Sequence, residues 1–259
     1  MKILDYNYLG YEFLLSEKLK STNDWLKKHL KKHGSQNIAI CALEQLGGRG
    51  RGNNTWVSPK GGLYFTISYP AENLKNMDLL GPAAGQLLLS WLKDNFNLNP
   101  QIKWPNDILI NNKKLAGFLL ENISTANGRV IILGLGMNVK VVPEQNQRFF
   151  FPPVSLSQLV PDSHFEIPEV FLEIAKKFTR LNQFSAYNRE EIREKSIKNS
   201  ATIGKVVNII LPNGKTVSGK ACGLTDDFSL LVDTGDESVR ITAGDCFHKC
   251  SKVDGVNNE

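Results

Sequence analysis

Residues 101–122, QIKWPNDILINNKKLAGFLLEN, contain two apolar runs that are separated by the polar sequence Asn-Asn-Lys. Two such runs joined by an Asn-rich turn predict a β-hairpin. Lys103 and Lys114 flank the part of this stretch that holds Asn106 and Asp107. We therefore expect two cations and one acid to converge at one end of a β-sheet.

The segments on either side of the hairpin predict a domain in which strands and helices mix. The predicted strands cover residues 11–20, 38–43, 63–69 and 130–139. The predicted helices cover residues 21–34, 78–96 and 168–184. Ser21 is expected to cap the first helix, with Asp24 completing a capping box.

The pattern changes near residue 200, where short alternating runs and turns such as Pro-Asn-Gly replace the helical period. This pattern predicts a small antiparallel barrel or sandwich of about 50 residues. The predicted fold class is therefore α+β, with a mixed β-sheet domain flanked by helices and followed by a small β-barrel. The predicted boundaries are residues 1–198, residues 199–250 and a polar tail at 251–259.

The loop GGRGRGNNTW, residues 47–56 and here called the Arg-Gly loop, lies between two predicted strands. Its glycines allow backbone N–H groups to converge on an anion, and its arginines are bidentate donors for phosphate or carboxylate. Trp56 offers an apolar face on which a base could stack. Taken alone, the loop fits a flexible surface linker as well as it fits an anion-binding site.

Two glycines interrupt the apolar strand VIILGLGMNV at residues 130–139. Gly134 and Gly136 indicate a close approach of another group to the strand backbone. The sequence lacks the complete G-x-G-x-x-G spacing of a dinucleotide-binding loop and opens no helix.

The composition is that of a soluble folded protein, with 259 residues, 41% hydrophobic residues, 22% charged residues and a net charge of +5. The N-terminus resembles neither a signal peptide nor a transit peptide, and no run is long enough to cross a membrane. The cysteines form no CxxC pair, which favours buried thiols in a reducing compartment over a zinc site at Cys246 and Cys250. A cytoplasmic protein is expected.

Taken in chain order, these motifs resemble those of the biotin protein ligase family, over residues from about 10 to about 250. The motifs that carry the resemblance are Ser-Thr-Asn (21–23), the Arg-Gly loop with Glu-Gln before it (44–52) and Trp-Val-Ser-Pro after it (56–59), Lys-Trp-Pro-Asn-Asp (103–107), Lys-Leu-Ala-Gly (114–117) and Gly-Leu-Gly-Met-Asn-Val (134–139). The chain departs from many bacterial members at Asn53-Asn54, where those members carry Gly-Arg. The resemblance implies a class II synthetase-like fold of the biotin/lipoate ligase type, followed by an SH3-like β-barrel.

Members of this family convert biotin and ATP into biotinyl-5′-AMP and pyrophosphate, with Mg²⁺, and then transfer biotin to one lysine of a carboxyl carrier domain. The resemblance implies catalytic roles for Arg51, Lys114 and Asp107, with Asp107 close to the incoming lysine. It implies biotin-binding roles for Ser21, Thr22, Asn23, Gln45, Gly48, Arg49, Lys114, Gly117, Gly134 and Gly136. It implies nucleotide-binding roles for Arg49, Arg51, Trp56, Asn106, Lys114 and Asn138.

The resemblance also bears on partners. Ser21 occurs too early for a helix-turn-helix domain to precede it, so we expect the form without DNA binding, active as a monomer or a homodimer and away from membranes. A lipoate–protein ligase with the same adenylate chemistry is the nearest alternative. A basic nucleic-acid-binding module is a more remote one, and it predicts strongly salt-dependent oligonucleotide binding.

Overall fold

The computed structural model describes residues 1–74, 76–143, 150–183 and 188–249. The strands are β1 (Lys2–Tyr8), β2 (Tyr11–Ser16), β3 (Ile38–Ala42), β4 (Leu63–Pro70), β5 (Gln101–Lys103), β6 (Asp107–Ile110), β7 (Lys113–Thr125), β8 (Gly128–Met137), β9 (Val206–Ile210), β10 (Thr216–Leu224), β11 (Leu230–Asp233), β12 (Ser238–Ile241) and β13 (Asp245–His248). The helices are α1 (Thr22–His33), α2 (Leu80–Phe96), α3 (Leu156–Leu159), α4 (Ile167–Phe178) and α5 (Arg189–Lys198).

Strands β1 to β8 form one large mixed sheet in the order β1-β2-β3-β4-β8-β7-β6-β5. The β2–β3 pair is parallel, and the other neighbouring pairs are antiparallel. Helix α1 packs on one face through Leu26 and Leu30, in a core that includes Leu14 of β2. On the other face, Phe13 of the same strand belongs to the core formed with α2 and α4. Neighbouring residues of β2 are therefore buried on opposite faces, as expected for a sheet covered on both sides.

The predicted strands and the helices α1, α2 and α4 are confirmed with small shifts at their ends. Helix α4 ends at Phe178 and continues as a 3₁₀ turn to Gln183, while position 184 lies outside the described residues. Strand β1 and helix α5 were not predicted. Helix α5 buries only Ile192 and Ser196, so it lacks the apolar period by which helices are found in sequence.

Half of the predicted capping box is formed. The Ser21 hydroxyl accepts a hydrogen bond from the Asp24 N–H at 3.4 Å. The Asp24 carboxylate lies 3.1 Å from Nη1 of Arg49. Asp24 is thus engaged by the Arg-Gly loop, and the described residues show no return bond from it to the helix cap.

The β6–β7 hairpin is confirmed, and its turn consists of Asn111 and Asn112, both with positive φ. Two successive positive φ values are the requirement of a type I′ turn. Past the turn the register shifts, so that Leu109 pairs with Lys114 and Ile108 with Ala116. This bulge brings Lys114 to the side of the hairpin on which Asp107 lies.

The C-terminal strands form an antiparallel sheet in the order β12-β11-β10-β9-β13, here called the C-terminal sheet. A small antiparallel sheet agrees with the prediction. Within the described residues, however, its two edge strands β12 and β13 are not paired with each other, so the expected barrel is not closed. The chain before this sheet is hydrogen-bonded to β5, since Ile102 N–H donates to Asn199 and Ala201 N–H donates to Ile102. The indole of Trp104 donates to the carbonyl of Phe228, so the sheet also supports the β5–β6 turn. Within the described part of the chain, none of the helices is long and apolar enough to span a membrane.

Candidate functional site

A cavity of about 710 Å³ opens where the Arg-Gly loop, the β5–β6 turn, strands β7 and β8 and strand β13 meet. Its lining includes nearly all the residues selected from sequence, namely Ser21, Thr22, Asn23, Gln45, Arg49, Arg51, Trp56, Asn106, Asp107, Lys114, Gly117, Gly134, Gly136 and Asn138. Gly48 does not line the cavity. A Cβ on Gly48 would lie 2.3 Å from the Trp56 carbonyl oxygen, so glycine is required there by packing inside the loop.

Hydrogen-bonded side chains form one polar wall of the cavity. The Thr22 N–H donates to Oε1 of Gln45 at 2.8 Å, and Nε2 of Gln45 donates to the hydroxyl of Ser58 at 2.9 Å. The Thr66 hydroxyl lies 2.8 Å from the Thr22 hydroxyl and 2.6 Å from Oδ1 of Asn23. The bonds with Thr22 and Ser58 fix the orientation of the Gln45 amide, with its oxygen as the acceptor and its nitrogen as the donor.

Glu121 connects this polar wall to the Arg-Gly loop. Its carboxylate accepts from Nδ2 of Asn23 at 2.9 Å and from Arg49 at 3.0 Å. Lys27 also donates to it, at 2.5 Å. Burial favours the protonated acid, but the hydrogen bonds from Lys27 and Asn23 hold the pKa of Glu121 below its ordinary value. Because Arg49 also contacts Asp24, its guanidinium is already paired with two carboxylates in this geometry.

Trp56 lies on two glycines that pair across strands β7 and β8. Gly117 is opposite Gly136, and a Cβ on Gly136 would lie 2.6 Å from the indole Nε1. Nε1 is buried and has no partner among the described residues. The ammonium of Lys114 lies 5.3 Å from the centre of the Trp56 ring, within cation–π range. Gly134 has a similar role beside Asn23, since a Cβ there would lie 2.3 Å from Oδ1 of Asn23.

Two lysines approach Asp107, as the hairpin sequence predicted. Nζ of Lys114 lies 2.7 Å from Oδ1 of Asp107, and Nζ of Lys103 lies 3.8 Å from Oδ2. The side-chain amides of Asn106 and Asn138 donate to backbone carbonyls, at 2.6 Å to Phe118 and 3.2 Å to Val154. In this geometry both amides stabilise the backbone that carries the lysines and the acid.

The C-terminal sheet supplies part of the cavity wall. Arg51 crosses from the Arg-Gly loop and donates to the Gly244 carbonyl at 3.1 Å, immediately before β13. Phe247 of β13 packs edge-on against Phe150, and His248 packs in the same way against Phe151. Arg51 was predicted from sequence, but Gly244, Phe247, His248, Phe150 and Phe151 were not, because no local pattern relates positions so far apart in the chain.

Other participants carried a signal in the sequence. Thr66 is a polar residue inside the apolar strand LYFTISY, and Glu121 closes the run KLAGFLLE. A buried polar residue in an apolar strand needs a partner, so both could have been selected as site candidates.

A zinc site at the cysteines gains no support from the described residues, which contain no group of three or more potential metal ligands. Burial raises the pKa of Cys246 to about 11, which keeps this thiol protonated and a poor ligand. Cys250 lies outside the described residues.

Comparison with known proteins gives matches along most of the chain. The Biotin/lipoate A/B protein ligase family matches residues 15–138, and the Biotin protein ligase C terminal domain matches residues 202–249. The biotin–[acetyl-CoA-carboxylase] ligase of Paracoccus denitrificans is 30% identical over 186 residues, which are 65% of this chain and 72% of that protein. The Mycobacterium tuberculosis ligase of the same name is 26% identical over 217 residues, which cover 82% of this chain and 79% of that protein.

A solved structure of Aquifex aeolicus biotin protein ligase in complex with biotin and ATP superimposes with a TM-score of 0.74. It is 23% identical, and the match covers 92% of this chain and 98% of that one, which shows a common fold. The sequence matches and the order of the motifs around the cavity agree with this fold. The chain is therefore a member of the biotin protein ligase family.

Proposed function

We propose that this chain is an ATP-dependent biotin protein ligase, which forms biotinyl-5′-AMP with release of pyrophosphate and then transfers biotin to a lysine of a biotin carboxyl carrier domain. The observation that carries this proposal is the single cavity in which the motifs of the family converge. The proteins that match by sequence bear the names of biotin ligases, which favours biotin over lipoate as the substrate.

The polar wall is suited to the ureido ring of biotin. Thr22, Asn23 and Gln45 are held by neighbouring side chains, so their polar atoms are oriented before the ligand arrives. The Ser21 hydroxyl accepts from Asp24 and keeps its own proton for a ligand oxygen. Preorganised polar groups of this kind reduce the entropy lost on binding.

The first reaction joins two anions, and the cavity supplies the cations that this requires. The carboxylate of biotin attacks the α-phosphorus of ATP, so it must approach a negatively charged triphosphate. Arg51 and Lys114 both line the cavity and would stabilise the charge of the transition state. Trp56 offers the aromatic surface for adenine, and Asn138 holds the adjoining backbone.

Mg²⁺ belongs to this proposal as part of the Mg–ATP substrate. Of the acidic side chains that line the cavity, Asp107 is engaged with two lysines and Asp245 is exposed on β13. Mg²⁺ in nucleotide enzymes is held largely by the phosphates, with few protein carboxylates.

The second reaction moves the acyl group of the adenylate to the amine of the acceptor lysine, and AMP leaves. The adenylate would attract the ammonium group of Lys114, which in this structure forms an ion pair with Oδ1 of Asp107 at 2.7 Å. That carboxylate oxygen would then become available to accept a proton from the incoming lysine. The Arg-Gly loop would meanwhile keep water from the mixed anhydride.

We further propose the boundaries 1–198 and 199–250, a monomer or homodimer, and no binding to DNA. A cytoplasmic location agrees with free thiols at Cys41, Cys222 and Cys246.

Pyrophosphate–ATP exchange, measured with biotin, with lipoate and without either, tests the proposed function. We expect exchange that depends on biotin, followed by incorporation of biotin into a purified carrier domain. Exchange that proceeds without biotin, or only with lipoate, would overturn the assignment.

A further inference from the structure

The ammonium group of Lys103 is buried in the cavity wall, and its nearest counter-ion among the described residues, Asp107, is shared with Lys114. Lys103 is 7% exposed, and its Nζ lies 3.8 Å from Oδ2 of Asp107, beyond hydrogen-bonding distance. The nearer Lys114 occupies the other oxygen of that carboxylate at 2.7 Å. Buried charges are costly unless they are well paired, and one carboxylate shared by two lysines leaves a net positive charge that a further anion would balance.

An aromatic ring lies beside the Lys103 ammonium group. Its Nζ lies 5.5 Å from the centre of the Phe151 ring, and Phe151 is in turn in contact with His248 of β13. Burial lowers the pKa of Lys103, and the charges of Lys114 and Arg51 act in the same direction, against the opposing effect of Asp107. A ligand phosphate at this point would gain a strong interaction, because screening by solvent is weak there.

The charge around Lys103 favours a polyanion. Lys103 and Lys114 share the carboxylate of Asp107. Arg51 is close enough for its charge to lower the pKa of Lys103, and its side chain is bonded only to a neutral carbonyl among the described residues. Arg49, in contrast, is already neutralised by Asp24 and Glu121. The side of the cavity next to β13 therefore holds more positive than negative side chains.

The two lysines lie toward different parts of the cavity. Lys114 is 5.3 Å from the Trp56 ring, on the side where the proposed function puts the nucleotide base. Lys103 lies toward Phe151, Cys246 and His248, on the side of the C-terminal sheet. A nucleotide that extends from Trp56 across Lys114 would direct its terminal phosphates to Lys103.

Resting on the proposed function, we propose that Lys103 binds the terminal phosphates of ATP and stabilises pyrophosphate as it leaves. In the first reaction a carboxylate oxygen of biotin bonds to the α-phosphorus, and the bond from that phosphorus to the α–β bridging oxygen breaks. The electron pair of the broken bond stays with the bridging oxygen, which leaves as part of pyrophosphate. A fixed cation that faces this oxygen stabilises the charge that develops on it.

Replacement of Lys103 by methionine tests this role, because Lys103→Met retains the buried stem and removes the charge. Exchange is measured with ATP and pyrophosphate varied separately at saturating biotin, and pyrophosphate binding to the ligand-free protein is measured by calorimetry. We expect the KM for ATP and the half-saturating pyrophosphate concentration to rise by about tenfold or more, with biotin binding changed less than about twofold. Lys113→Met is the matched control, since Lys113 is exposed at the hairpin tip next to Lys114.

Unchanged dependence on ATP and pyrophosphate in Lys103→Met, beside a wild type that exchanges normally, would overturn this role and leave the proposed function intact. A wild type without biotin-dependent exchange would overturn the proposed function, and the calorimetric titration would still decide whether Lys103 binds pyrophosphate. If Lys103→Met does not fold, NMR of the Lys103 side chain in the wild type replaces it, with Lys103→Arg used for assignment. A shift of that signal on addition of pyrophosphate is then expected, and no shift would contradict the proposal.

Discussion

The two arginines of the Arg-Gly loop have different surroundings, although the sequence presents them as equivalent. Arg49 is held by Asp24 and Glu121, which fixes the first half of the loop to α1 and β7. The side chain of Arg51 makes one hydrogen bond within the described residues, to the Gly244 carbonyl next to β13. We infer that Arg49 holds the loop in place and that Arg51 closes it over the adenylate.

Replacement of Arg51 by glycine is predicted to shorten the time for which the adenylate stays bound. Arg51→Gly should still form biotinyl-AMP, but its release should accelerate about tenfold or more because a charged hydrogen-bond donor is lost from the closure. A chase experiment with labelled biotinyl-AMP measures that release. Arg129→Gly, at an exposed position in β8, is the control, and equal retention in both variants would make Arg51 a solubilising residue only.

At the scale of the elements, strand β8 uses glycine to admit side chains from elsewhere. Gly134 admits Asn23 of α1 and Gly136 admits Trp56 of the Arg-Gly loop. These two glycines lie on the same face of β8. They therefore determine where Asn23 of the polar wall and the indole of Trp56 can lie.

A methyl group at position 134 is predicted to impair biotin binding. In Gly134→Ala the new Cβ would lie 2.3 Å from Oδ1 of Asn23, so Asn23 must move and its bonds to Thr66 and Glu121 must change. We expect the Kd for biotin, measured by calorimetry, to rise by about tenfold or more. Gly223→Ala in β10 is the matched control, because its Cβ would have no neighbour closer than 4.0 Å. Equal biotin affinity in the two variants would contradict this use of Gly134.

The elements that could be predicted from sequence are those whose signal is local. The hairpin of β6 and β7 was found because its turn residues and apolar runs are adjacent, and Lys114 and Asp107 were expected to meet for that reason. The contact of Arg51 with Gly244 joins residues whose pairing leaves no local pattern, so it required the structure. The open C-terminal sheet differs from the predicted barrel because alternation indicates strands and does not indicate which edges pair.

At the scale of the whole molecule, the two sheets share one apolar core, to which Trp104, Val207 and Ile209 belong. Arg189 of α5 adds a polar connection, since it contacts Asp78 and the carbonyl of Asp226. The C-terminal sheet is thus packed against the part of the chain that carries Lys103 and Asp107.

Acidification is predicted to destabilise the protein through His248 of β13, which contacts Phe151 and Thr202. Burial, together with the charges of Lys103 and Lys205, lowers the pKa of His248 from 6.5 to about 4. Between these pKa values the unfolded chain binds a proton that the folded chain does not, so stability falls as the pH falls from 6.5 to about 4.

Thermal unfolding measured across that pH range checks this prediction. His248→Gln should have a smaller loss of Tm on acidification than the wild type, because the group responsible is absent. His164→Gln, at a side chain that is 84% exposed, serves as the control and should keep the wild-type loss. An identical loss in His248→Gln and the wild type would exclude His248 as the cause.

The acceptor that Arg51 uses is a main-chain oxygen, and this affects how the closure can change during evolution. Every amino acid carries that oxygen, so substitutions around the β12–β13 connection leave the acceptor in place. Position 244 itself is restricted to glycine, since a Cβ there would lie 2.6 Å from Ile209 and 2.8 Å from the carbonyl of Ile210. Natural variation in how long the adenylate is retained should therefore arise from substitutions at position 51. The side chains of the β12–β13 connection are free to change without removing the acceptor.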